Sequence, residues 1–118
     1  NGIIFRQALE HSVQAWRPVD TPGQFLQYSG VEVVYDLAQN AGSRIVRATA
    51  VCSKCSEPSD LQDDYEYQVI TSIFIANGGD GYTMFEKLAR DVLPFNEAEC
   101  ILNYLFEYSP IHPVLSDR

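Results

Sequence analysis

The stretch Gln68–Met84, QVITSIFIANGGDGYTM, decides how the chain is read. Val69 to Ala76 is apolar and rich in β-branched and aromatic residues, so it reads as a buried strand. Asn77-Gly78-Gly79-Asp80-Gly81 follows, with glycines that permit positive φ and let the backbone approach another group closely. Thr83 with Glu86 three residues on is a capping-box pattern, and it predicts a helix from Thr83 to about Leu93, closed by Pro94. Strand, glycine loop and helix start is a common way to build a ligand site at the end of a sheet.

The loop's chemistry narrows the ligand. Its one charge is Asp80, and a carboxylate repels phosphate. An ionised carboxylate only accepts hydrogen bonds, which suits hydroxyls such as the pair on a ribose. Phe74, just upstream, offers a ring face on which a base can stack. Against this stands the plainer reading, in which Phe74 is core and the glycines only make a turn.

Outward from that stretch, Ile3 to Ala15 carries Ile4, Phe5, Ala8, Leu9 and Val13 at helical spacing, which predicts a first helix. His11 lies on it, read as a surface or supporting histidine because no partners at metal-ligand spacing accompany it. Trp16 to Gly23 is a proline- and glycine-containing loop. Phe25–Gly30, Val31–Leu37 and Arg44–Val51 read as strands, the last two forming a hairpin across a turn at 39–43. Glu57 to Glu66 holds five acidic residues and no basic one; lacking a calcium-loop pattern, it reads as a solvated loop. Asn96 with Glu99 signals a third helix, Ala98–Tyr108, and the prolines after it predict an extended tail. Together these elements make an α+β domain.

Cys52-Ser53-Lys54-Cys55 admits three readings: a redox pair, half of a zinc knuckle, or a local disulfide stapling the strand end. A redox pair normally opens a helix, whereas Pro58 and the acidic loop follow here. A zinc site needs a second ligand pair, which Cys100, His11 and His112 do not obviously make. Cys100 is the odd cysteine of three.

The bulk properties bound the partners. The chain has 118 residues, is 46% hydrophobic and 20% charged, and has a formal net charge of −8. That is one globular domain. Its acidity disfavours nucleic acid and anionic membranes, which select basic patches. No apolar run approaches the roughly 18 to 20 residues that span a bilayer. The chain opens Asn1-Gly2 without a leader-like segment, as a mature product or an excised piece would.

ALEHSV, FLQYSGVEVVYDL, CSKC and IANGGDGYTMF, in that order, resemble the C-terminal domain of the 5'-nucleotidase family, animal ecto-5'-nucleotidases and salivary apyrases in particular. The likeness covers nearly the whole chain. It implies a layered α/β/β/α fold with a mixed, mostly antiparallel sheet and three helices, incomplete in this chain, over residues 1–118. It implies that Phe74 stacks on the base, that Asp80 binds the ribose hydroxyls within a substrate-binding set of Phe74, Asn77, Gly78, Gly79 and Asp80, and that Cys52 and Cys55 form a disulfide. That bond implies an oxidising, extracellular setting, secreted or at the cell surface. Family catalysis uses two divalent, zinc-like metals on a separate N-terminal domain, and these 118 residues hold no constellation for two-metal hydrolysis. The chain alone is therefore expected to be non-catalytic, without cofactor or metal of its own. Its expected partners are a nucleoside or nucleotide such as adenosine or AMP, that N-terminal domain, and a second copy in a homodimer.

Two functions follow as expectations. One is the substrate-binding portion of a secreted or ecto 5'-nucleotidase or apyrase acting in nucleotide catabolism. The other is a stand-alone secreted derivative that binds a nucleoside or a host protein without catalysis.

Overall fold

The computed structural model describes residues 1–20, 22–51 and 57–112. The chain forms two compact units, residues 1–88 and 89–118. The first contains helix α1 (Gly2–Gln14), strands β1 (Val31–Tyr35), β2 (Ile45–Ala50) and β3 (Ser59–Asp60), the single-turn helix α2 (Ile73–Ala76) and two 3-10 turns at Gly79–Gly81 and Thr83–Phe85. The second contains helix α3 (Glu97–Tyr108).

Helix α1 starts where the sequence supplies partners for its first N–H groups, which have none within the helix. The Asn1 side chain accepts from Ile4 N–H at 3.2 Å. Gly2 and Ile3 donate to the carbonyls of Tyr65 (3.0 Å) and Asp63 (3.1 Å). Gly2 is buried there, and a Cβ on it would lie 1.9 Å from the Gln62 carbonyl oxygen, so only glycine fits. At the other end the Arg44 guanidinium donates to the carbonyls of Val13 and Gln14, placing positive charge on the helix C-terminus. Glu10 returns the exchange by accepting from the backbone N–H groups of Arg44 (3.0 Å) and Ile45 (2.7 Å) at the start of β2.

Strands β1 and β2 pair antiparallel from Val31↔Ala50 to Val34↔Arg47, with a bulge before Tyr35↔Ile45. The predicted hairpin is present, with a longer connection. Asp36 N–H donates to the Arg44 carbonyl at 2.7 Å, and the Asp36 carboxylate accepts from Ala38 N–H at 3.0 Å in an Asx turn. The Gln39 amide and the Ala38 N–H hold that carboxyl below its usual range. Two small residues of β2, Ala48 and Ala50, face α1 and let Leu9 seat between them and Leu61. Phe5, Val31, Val33, Ile45 and Tyr67 pack around this core. Tyr35 closes one side, its hydroxyl donating to the Leu9 carbonyl at 3.2 Å, and burial pushes the phenol's pKa up.

Four expectations need correction. The acidic stretch is not wholly a solvated loop: Ser59 and Asp60 form β3, antiparallel to β2, in the sheet order β1-β2-β3. Its carboxylates still point outward, Asp60 to Arg47 (3.3 Å) and Asp63 to Arg6 (3.2 Å). Phe25–Gly30 makes no strand, although the Gly30 carbonyl accepts from Val51 N–H at 2.9 Å.

Val69–Ala76 is not a buried strand either. No described strand pairs with it, and the Ser72 hydroxyl instead accepts from Ile75 N–H at 3.3 Å and starts α2. Ile70 and Phe74 are left 86% and 57% exposed. Finally, the Thr83–Glu86 capping box does not form. Thr83–Phe85 is one 3-10 turn with no side-chain cap, continued by 3-10-type bonds from Glu86 to Thr83 and Leu88 to Phe85. The 83–93 helix is absent, and the Glu86 carboxylate lies beside Gly78.

In the second unit the third helix is found where its signals lie. Asn96 accepts from Glu99 N–H at 3.0 Å while Glu99 accepts from Asn96 N–H at 2.9 Å, a complete capping box. Cys100 is a free, exposed thiol. The Cys52–Cys55 pairing falls outside the described residues.

Candidate functional site

The loop after α2 is built on three left-handed residues within four positions. Asn77 closes α2 by donating to the Ile73 carbonyl at 3.0 Å. Gly78 then takes φ +83, Asp80 φ +52 and Gly81 φ +85. Aspartate tolerates the left-handed region better than most residues, and glycines at its flanks absorb the rest of the turn. The chain thus winds tightly round Asp80 and leaves the residue exposed at the turn's outer edge.

Each glycine also makes room for a side chain from elsewhere. A Cβ on Gly79 would lie 2.5 to 2.6 Å from three atoms of the Phe74 ring, so that ring rests directly on the Gly79 backbone. A Cβ on Gly78 would lie 2.3 Å from a Glu86 carboxylate oxygen, and one on Gly81 would lie 2.9 Å from the His11 ring. The Phe74 ring thus rests on Gly79, one residue before the exposed Asp80. Asn77 and Gly78 form the turn between them.

The support beneath the loop was not legible in the sequence. Tyr82, immediately after it, is fully buried, and its hydroxyl donates to the Gln24 carbonyl at 2.6 Å. The Gln24 amide donates to the His11 carbonyl at 2.7 Å. The Tyr82 ring meets the His11 ring edge-on at a centroid distance of 4.6 Å and stacks parallel to Phe85 at 6.0 Å. Burial, then the nearby Asp80 charge, push the Tyr82 phenol up to about 12. His11 Nε2 lies 2.8 Å from the Asp80 carbonyl oxygen. The one sequence signal for this support is an aromatic directly after a glycine turn, a common anchor; its partners lie far upstream.

A groove of about 550 Å³ runs along the outer face of α1, lined by residues including Arg6, Glu10, His11, Asp63 and Thr83. Phe74 and Asp80 are not among its lining residues; both are exposed, and with Gly79 between them they form a surface ledge. Among the described residues no group of three His, Cys, Asp or Glu side chains is placed to hold a metal, and no helix is long and apolar enough to cross a membrane. The two divalent metals implied above have no ligand set among the described residues.

Comparison with known proteins places this chain in a family. The profile of the 5'-nucleotidase C-terminal domain matches residues 1–87. Human 5'-nucleotidase is 36% identical over 120 residues, covering 99% of this chain and 21% of that protein. A snake venom 5'-nucleotidase of Macrovipera lebetinus is 44% identical over 87 residues, covering 72% of this chain and 21% of its own length. The crystal structure of a 5'-nucleotidase precursor from Thermus thermophilus has a TM-score of 0.87 at 36% identity, covering 100% of this chain and 23% of that one. This chain belongs to the 5'-nucleotidase C-terminal domain family, and its helices and three-stranded antiparallel sheet match that domain's fold. It spans about a fifth of the length of the curated relatives it matches.

Proposed function

We propose that this domain is the nucleoside-reading portion of an extracellular nucleotide phosphohydrolase of the 5'-nucleotidase or apyrase type. Phe74 stacks on the base, Asp80 accepts from the ribose hydroxyls, and Asn77, Gly78 and Gly79 shape the turn between them. The observation that carries this reading is the Phe74 ring. It is 57% exposed yet backed by the Gly79 backbone, and the exposed Asp80 is the next residue along that backbone. An aromatic fixed on one side and open on the other is a stacking platform, worth about 1–3 kcal/mol per base. A carboxylate beside it adds charge-assisted hydrogen bonds to hydroxyls.

Catalysis in this reading belongs to a partner domain that binds two divalent metals, and the nucleotide bridges the two. Extracellular residence, a Cys52–Cys55 disulfide and pairing into a homodimer belong to the same proposal. The test is calorimetric titration of adenosine and AMP into the chain and into a Phe74→Ala, Asp80→Ala double variant. Saturable binding that the double variant loses supports the reading. Equal binding by both, or none by the intact chain at millimolar ligand, refutes a self-sufficient nucleoside ledge.

A further inference from the structure

We propose that His11 is a positioning residue for the nucleoside ledge, holding the Asp80 backbone in its left-handed conformation so that the Asp80 carboxylate stays beside Phe74. The inference rests on the reading of Phe74 and Asp80 given above.

The argument starts from what a carbonyl can do. The Asp80 oxygen 2.8 Å from His11 Nε2 only accepts, so Nε2 carries the proton and donates. That fixes the ring's tautomer. Nδ1 lies 3.0 Å from Gln14 Oε1. In a neutral ring Nδ1 accepts and that amide turns its NH2 toward it, in a doubly protonated ring Nδ1 donates to the oxygen as placed, and Nε2 carries its proton in both.

The ring itself cannot wander. Tyr82 meets it edge-on, and Gly81 is close enough that a Cβ would lie 2.9 Å from both Cε1 and Nε2. The histidine backbone is tied to the same group, since its carbonyl accepts from Gln24, whose own carbonyl accepts from Tyr82. The imidazole is thus fixed by three neighbours and donates to one atom of the loop. That atom belongs to the single non-glycine residue with positive φ among those described. Aspartate reaches left-handed backbone at a smaller cost than most residues, and the ring donor adds a side-chain bond that holds the Asp80 main chain there.

His11 touches neither base nor ribose in this scheme; it acts through Asp80. Its test therefore compares two substitutions. His11→Phe keeps an aromatic against Tyr82 and removes the donor. His11→Gln puts an amide donor near the Nε2 position. The readouts are the Asp80 Cα and Cβ chemical shifts, which report its backbone, and the Kd for adenosine. Displaced Asp80 shifts and about tenfold weaker adenosine in His11→Phe, both restored by His11→Gln, are the expected result, one neutral hydrogen bond's worth. Unchanged Asp80 shifts in His11→Phe overturn the proposal whatever the affinity, as does equal loss in both variants. Shifts that move in His11→Phe and return in His11→Gln while no form binds adenosine support the hold on the loop and overturn the nucleoside reading instead. Should His11→Phe fail to fold, the intact chain decides: long-range proton–nitrogen spectra of the ring must show the proton on Nε2, and a proton on Nδ1 alone overturns the proposal.

Discussion

Two parts of the first unit are held together by different physics. The α1–sheet layer is a small apolar core, with Leu9 fully buried against Ala48, Ala50 and Leu61. The segment from Val69 to Phe85 keeps Ile70, Ile73 and Phe74 largely exposed. It is ordered by positive-φ turns, one buried tyrosine and a short circuit of hydrogen bonds. Burial is non-directional and tolerates displacement, whereas a few directional bonds fix a loop in one place. The scaffold is thus built for stability and the ledge for geometry, and substitutions in the two should separate folding from binding.

The largest expected effect is in the layer. Leu9→Ala removes a fully buried side chain and should cost about 2–5 kcal/mol of unfolding free energy, read from urea denaturation, with adenosine affinity unchanged where the chain stays folded. Next is Gly81→Ala, which strains a residue at φ +85 and drives a methyl into the His11 ring. It should cost about 1–3 kcal/mol and also weaken adenosine, coupling the two regions. Phe74→Ala should do the reverse of Leu9→Ala. Stability should change little, because the ring is mostly exposed, while adenosine affinity falls by about 5- to 100-fold in calorimetry. A loss of stability as large as that of Leu9→Ala would place Phe74 in the scaffold and erase the distinction.

The smallest effect is in the alkaline range. Tyr82 holds its proton to about pH 12, against about 10 for a free phenol, so the folded state binds it more tightly than the unfolded one. Stability is unaffected below pH 10 and declines as pH rises from there toward 12. Tyr82→Phe should flatten part of that decline in denaturation midpoints measured across pH 9–12, and Tyr35, shifted the same way, should supply the remainder.

Legibility in the sequence divides along similar lines. Helix α1, the β1–β2 hairpin and α3 were readable because their signals are local: an apolar stripe, alternation across a turn, and a capping box whose two halves lie three residues apart. Strand β3 was not, since two residues in an acidic stretch become a strand only through pairing with Thr49 and Ala50. Val69–Ala76 has the composition of a strand, but composition does not supply a partner, and Ser72 offered the backbone a nearer bond. The site was half legible. Glycine spacing marks the turn and puts Asp80 on it, while its hold by His11 crosses 69 positions of sequence.

The exchange between Glu10 and Arg44 has a consequence for how such a chain can change over generations. Each side chain satisfies backbone groups on the other's element, the carboxylate at the start of β2 and the guanidinium at the end of α1. Losing either one strands polar groups on an element that the remaining residue cannot serve. Positions 10 and 44 should therefore drift as a pair, retained together or replaced together, and a relative that has altered one of them alone should carry a compensating donor or acceptor nearby.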